Sequence, residues 1–174
     1  MSMQQGKPRP PATPAQALTA MDHLIATGMI GQQVVAQQLN LSVTDLTCFG
    51  YILEAGDTLL TAGDLAQRAH VTTGAVTGIV NRLERAGYVS RRPDPTDRRR
   101  VRIAAQPPAV ARVRSLYEPF YARLNGLLAE YSADEVAVLN DFFSRAGTLM
   151  ATYVGGCPDP DPDPDPAATV PPTA

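Results

Sequence analysis

TTGAVTGIVNRLERAGYVSRRPDPTDRRRVRI, residues 72–103, reads as one helix followed by one hairpin. The Thr72 hydroxyl can accept from a free N–H of the first helical turn and so cap it. Val76, Ile79, Val80 and Leu83 recur at helical spacing and make one apolar stripe. Gly74, Thr77, Gly78, Asn81, Arg82 and Arg85 fall on the opposite face. Gly87 stands where a left-handed C-terminal cap belongs. Two short β-runs follow, Tyr88–Arg92 and Arg99–Ile103, with Pro93, Asp94, Pro95, Thr96 and Asp97 as the turn. A glycine inside a helix costs about 1 kcal/mol relative to alanine. Gly74 and Gly78 are therefore either tolerated defects or places where a bulky surface approaches the backbone. A short polar helix face beside an arginine-rich hairpin suits a DNA groove flanked by phosphates.

The charge distribution supports that reading where the total does not. The chain of 174 residues has a formal net charge of −2. Residues 61–103 hold nine arginines against Asp64, Glu84, Asp94 and Asp97, a net of +5, which leaves −7 for the rest. A basic reading head on an acidic body has this footprint. An apolar fraction of 44% allows a real core. The two cysteines, Cys48 and Cys157, are too few for a disulfide framework. Neither a signal peptide nor a membrane span is visible, so the expected location is cytoplasmic.

Outward from the quoted stretch, residues 1–12 are polar and Pro-rich and are expected to be a disordered arm. Thr13-Pro14 opens a long amphipathic helix to about Leu39, weakened by Gly28 and Gly31 and broken by Asn40 and Leu41. Ser42 and Asp45 resemble a capping box for a second helix, which Gly56 ends. Thr58–Leu60 form a β-like stub, and Thr61 with Asp64 opens a third helix over about 62–69. Val71 and Thr72 make the turn to the helix described above, giving helix-turn-helix proportions. Pro107 and Pro108 start another long helix, in which Pro119 is expected to produce a kink. Ser132 and Glu135 box the start of a last helix, whose stripe runs from Val136 to Tyr153. Residues 155–174, with their Pro-Asp repeat, are expected to be an extended acidic tail.

The fold expected is mainly α with a small β-wing: a winged helix-turn-helix over 42–106, flanked by long dimerisation helices at 13–41 and 107–154. Those helices carry more apolar surface than the winged part can cover, so a two-fold homodimer with two reading helices is expected.

From residue 15 to 154 the chain resembles the MarR family of bacterial transcription regulators. The resemblance rests on LERAGY at 83–88, Arg91 and Arg92, and the wing DPTDRRR at 94–100 followed by VRI. It implies a winged-helix dimer on a pseudo-palindromic promoter site, usually a repressor relieved by a ligand. In the family's Asp-x-Arg wing motif the arginine enters the minor groove and the aspartate orients it. Asp97 and Arg99 match those positions, with Arg98 between them. The family's major-groove contacts map onto Thr72, Thr73, Thr77 and Asn81, with Arg82 beside them. The Pro/Asp tail is a departure from the family pattern.

Cys48 sits among apolar residues of the second helix and reads as a small buried hydrophobe. Cys157 lies in the tail without a charge partner to activate it. His23 reads as a surface residue beside Asp22, and His70 as a capping or phosphate contact. The effector cleft that the resemblance implies would be lined by Met21, Ile25, Met29, Phe49, Ile52 and Tyr117, as read from helix faces, and would take a small apolar or aromatic compound. No cofactor, metal cluster or membrane partner is expected. Two histidines and no phosphate loop leave no constellation for acid–base or nucleophilic chemistry. A winged-helix module used only for protein contacts remains the alternative, although such a module has no need of a basic wing tip.

Overall fold

The computed structural model describes residues 9–94, 97 and 99–156. The expectations for residues 1–8, Pro95, Thr96, Arg98, Cys157 and the acidic tail beyond it lie outside the described residues. The elements run α1 (Pro14–Gln38), α2 (Val43–Ala55), α3 (Ala62–Ala69), α4 (Thr73–Arg85), β1 (Val89–Pro93), β2 (Val101–Ala105), α5 (Pro107–Leu128) and α6 (Ala133–Gly156). They fall into two compact units, one from Arg9 to Asn125 and one from Gly126 onward.

In the first unit most helices begin on a side-chain cap. Thr13 accepts from the Gln16 N–H, and the Gln16 side chain returns a bond to the Thr13 backbone. Thr61 and Asp64 repeat this reciprocal box at α3. Ser42 accepts from the Asp45 N–H, and the Asp45 carboxylate is shared between Ser42 and the guanidinium of Arg82. α1 runs unbroken through Gly28 and Gly31 and ends at Gln38, and the chain turns away at Asn40, whose φ is +54°. Likewise α5 continues through Pro119.

The core of this unit gathers Phe49 and Ile52 of α2, Leu65 of α3, Val76, Val80 and Leu83 of α4, and Ile103 of β2. Ala36 of α1, its C-cap Leu39, and Ala109 and Val113 of α5 join it, so it extends past residues 42 and 106 on both sides. Phe49 meets Tyr88 edge to face, ring centroids 5.3 Å apart. The Tyr88 hydroxyl donates to the Leu39 carbonyl at 2.9 Å, tying the end of α1 to the root of the wing. Cys48 is fully buried in this core.

After α4 the chain reverses at Gly87, whose φ of +77° favours a residue without a Cβ. β1 and β2 then pair antiparallel, Val89 opposite Ala105 and Arg91 opposite Ile103. Leu60 adds a third, single-residue rung, its carbonyl accepting from the Ile103 N–H at 2.8 Å. The strands lie one or two residues later than the β-runs expected from composition. The reason is in the loop: the Asp94 N–H donates to the Arg100 carbonyl, and the Arg100 N–H to the Asp97 carbonyl. These bonds hold Arg99 and Arg100 in the turn rather than in β2.

In the second unit, Glu130 and Tyr131 close the end of α5 with backbone bonds to Leu127 and Leu128. Ser132 and Glu135 form the expected reciprocal box at the start of α6. Phe142, Phe143, Leu149, Met150 and Tyr153 on α6 are all exposed. So, in the first unit, are Leu24, Met29 and Ile30 of α1 and Phe120 and Tyr121 of α5.

Candidate nucleic-acid interface

α3 and α4 make the helix-turn-helix. No glycine is available for the turn, and His70 takes its left-handed position, with φ +51° and ψ +44°. Thr72 then caps α4 by accepting from the Ala75 N–H at 3.2 Å. Val76, Ile79, Val80 and Leu83 are buried beneath the helix. Thr73, Thr77, Asn81 and Arg85, spaced by four, form an exposed row on its outer side. The Thr77 hydroxyl donates to the Thr73 carbonyl at 3.0 Å, so its lone pairs and methyl group are what it offers outward.

Gly78 keeps this row low. A Cβ built there would stand 3.6 Å from Arg82 Nη1, an ordinary contact, so the glycine is not sterically required. The Arg82 guanidinium forks onto buried Asp45, Nη2 to Oδ1 at 2.6 Å and Nε to Oδ2 at 3.2 Å. This pair seats α4 on α2. Burial would lift the Asp45 carboxyl, but the bonds from Arg82 and Ser42 outweigh it and hold it below the usual carboxylate range. Asn81 is also engaged: its Oδ1 accepts from Arg91 Nη2 at 2.7 Å, and Arg91 in turn pairs with Glu84. Neither tie was legible from spacing along one helix, because the partners come from α2 and β1.

The wing is anchored by a chain of bonds. Arg102 donates from Nη1 to the Leu59 carbonyl at 2.6 Å and from Nε to Asp94 at 2.5 Å. The Asp94 side chain is buried and accepts from the Asp97 N–H at 3.1 Å. The Asp97 carboxylate accepts from the Arg99 N–H at 3.0 Å. Asp97 therefore fixes the backbone of Arg99 and leaves the guanidinium outward; Arg99, Arg100 and Arg92 are exposed. Of the DNA-facing residues expected from sequence, Thr72, Thr73, Thr77, Asn81, Asp97 and Arg99 are exposed, and Arg82, half exposed, is committed to Asp45. Arg98 lies outside the described residues.

A family model described as MarR family matches residues 39–100. The uncharacterized HTH-type transcriptional regulator YcgE of Bacillus subtilis (strain 168) is 38% identical over 118 residues, covering 68% of this chain and 75% of that protein. The chain belongs to the MarR family. The HTH-type transcriptional repressor YetL of the same organism is 31% identical over 98 residues, 54% of this chain and 59% of that protein. In fold, the chain is similar to a mutant of MepR from a multidrug-resistant S. aureus clinical isolate. Their TM-score is 0.65 at 19% identity, over 76% of this chain and 96% of the other.

Within the first unit this MarR-family chain also has an open groove of about 970 Å³ between α2 and α5, with Gln32 of α1 at one side. Phe49 and Tyr117 line it, together with Tyr51, Glu54, Arg114 and Glu118. Burial pushes the Tyr117 hydroxyl up from its ordinary pKa. Met21, Ile25, Met29 and Ile52 are not part of its lining. Ile52 is in the core, Met21 is half-buried on α1, and Ile25 and Met29 face outward. Burial raises the Cys48 thiol above its ordinary pKa. Among the described residues no cluster of His, Cys, Asp and Glu is disposed to hold a metal ion, and no helix is long and apolar enough to cross a membrane.

Proposed function

We propose that the chain is a DNA-binding transcription regulator of the cytoplasm, working as a homodimer on a pseudo-palindromic operator and repressing until a small effector binds. The observation that carries this reading is the pairing of a low, polar α4 face with a wing tip whose arginine backbone is held by Asp97. Thr72, Thr73, Thr77 and Asn81 face the major groove in this reading, and Arg99 the minor groove, where an arginine responds to narrow, negative DNA. Arg82 is a seat for α4 rather than a DNA contact. Residues 13–41 and 107–154 carry the dimer contacts, a partition by association rather than by compactness. Exposed Leu24, Met29, Phe120, Phe143 and Leu149 support it, because such side chains gain from mutual burial.

The effector is a small aromatic or apolar compound. The groove has in Tyr51 and Tyr117 partly exposed rings for it to pack on and in Arg114 a charge to orient it. By linkage, an effector that weakens DNA binding is itself weakened by DNA to the same factor. Selection of duplexes from a random pool with the purified full chain tests the function. Recovery of two inverted half-sites is expected. Recovery of no common site, with no salt-sensitive DNA binding at all, contradicts the reading and favours a module for protein contacts.

A further inference from the structure

Asn81 does not present a free carboxamide. Arg91 Nη2 donates to its Oδ1 at 2.7 Å. The same guanidinium is pinned by Glu84, through an ion pair from Nη1 and a 3.3 Å bond from the Arg91 backbone N–H to the other carboxylate oxygen. A guanidinium has donors only, so the Asn81 atom facing it is the oxygen, and the NH2 group is left to point away. A free asparagine pairs with adenine in two bonds, accepting from N6 and donating to N7. Here the accepting half is occupied. A second donor brought to the same oxygen also meets the N–H groups of the Arg91 guanidinium, donor against donor, whereas an acceptor brought to the NH2 group meets no such opposition.

We propose that Arg91 sets the base preference of Asn81: held by its oxygen, Asn81 acts as a donor and selects guanine, whose major-groove edge shows two acceptors, over adenine, whose N6 amine opposes it. The inference rests on the proposed reading of α4 as the groove helix. Arg91 is a positioning residue, and Glu84 is the anchor that fixes it.

The test is selection of duplexes from a random pool with the full-length parent and three variants, Asn81→Ala, Arg91→Met and Asn81→Asp. Asn81→Ala marks the base position read by Asn81 as the one whose preference collapses. At that position the parent should favour guanine over adenine on the order of tenfold. Arg91→Met frees the carboxamide oxygen and should reverse the order to adenine by a similar factor. Asn81→Asp keeps an acceptor for Arg91 but turns a second acceptor outward, and should shift the choice to cytosine, whose N4 amine donates. Asn81→Asp also keeps the tie to the wing strand, so it decides the matter should Arg91→Met melt early. Adenine in the parent would overturn the proposal. So would an Arg91→Met preference that is unchanged or merely flattened, the latter showing that Arg91 reads the base itself. A specific site in which Asn81→Ala alters no position overturns it as well. The absence of any enriched site for all four proteins is a different result, and it removes the DNA-binding reading together with this one.

Discussion

Burial alone would lift the Asp45 carboxyl, yet the bonds from Arg82 and Ser42 hold it below its ordinary value. Bonds from the Thr61 backbone and hydroxyl hold Asp64 down as well. For both groups the folded pKa is lower than the unfolded one. Their contribution to stability is therefore full above the unfolded value and is lost as pH falls through the folded one. The urea midpoint should be level between about pH 7 and pH 5 and fall below about pH 4. Asp45→Asn should lower the midpoint at neutral pH and make the acid fall shallower; a variant tracking the parent at every pH would remove Asp45 from this role. Tyr88→Phe leaves the Leu39 carbonyl without its donor and should cost about 1–2 kcal/mol by chemical denaturation. Apolar identity in the core was legible, since Val76, Ile79, Val80 and Leu83 announce themselves by period and Cys48 by its neighbours. Polar partnership was not. Asp45 lies 37 residues from Arg82 and Arg102 lies 43 from Leu59, and no local signal joins them.

Helix starts were legible because a cap is made within four residues. Thr13, Thr61 and Ser132 each bond the N–H three positions on. Thr61→Ala should accordingly cost about 1 kcal/mol, read from a denaturation curve, with the loss centred on α3. The wing was legible in composition but not in register. Its loop is set by Asp94 and Asp97 accepting from backbone N–H groups, and the strands begin only where those bonds end. Asp94→Ala takes the carboxylate from both Arg102 and the Asp97 N–H, and should lower both melting temperature and DNA affinity. Asp97→Ala should lower affinity nearly as far as Arg99→Ala does while leaving the melting temperature close to the parent's, because Asp97 is exposed. Equal melting losses for the two aspartate variants would show that the wing is not held as a chain of bonds.

The uneven charge, +5 over residues 61–103 in a chain of −2, puts the basic reading head on one stretch and the apolar stripes of the long helices elsewhere. Phe143 and Leu149 are 55% and 73% exposed, so replacing them removes little from the fold of the single chain. Phe143→Glu and Leu149→Glu should each weaken self-association about a hundredfold or more, because a dimer would have to bury the new carboxylate, and sedimentation velocity reads this directly. Parent-like sedimentation of both variants would exclude α6 from the interface. Which side chains line the groove was not legible from helix faces. The stripe that faces a neighbouring helix and the stripe that faces a cavity have the same period, and only Phe49 and Tyr117 of the expected set line the groove. The DNA-binding account itself stands or falls on Arg99. Anisotropy titrations of the parent, Arg99→Ala and Arg145→Ala should be run on the selected duplex and on a scrambled one, at two salt concentrations. Arg145 pairs with Asp141 on the exposed surface of α6 and serves as the control. The account predicts that Arg99→Ala binds both duplexes more weakly, with a salt slope reduced by about one phosphate equivalent, and that Arg145→Ala matches the parent. Parent-like binding by Arg99→Ala under every condition would mean that the wing does not touch DNA, and would contradict the account at its centre.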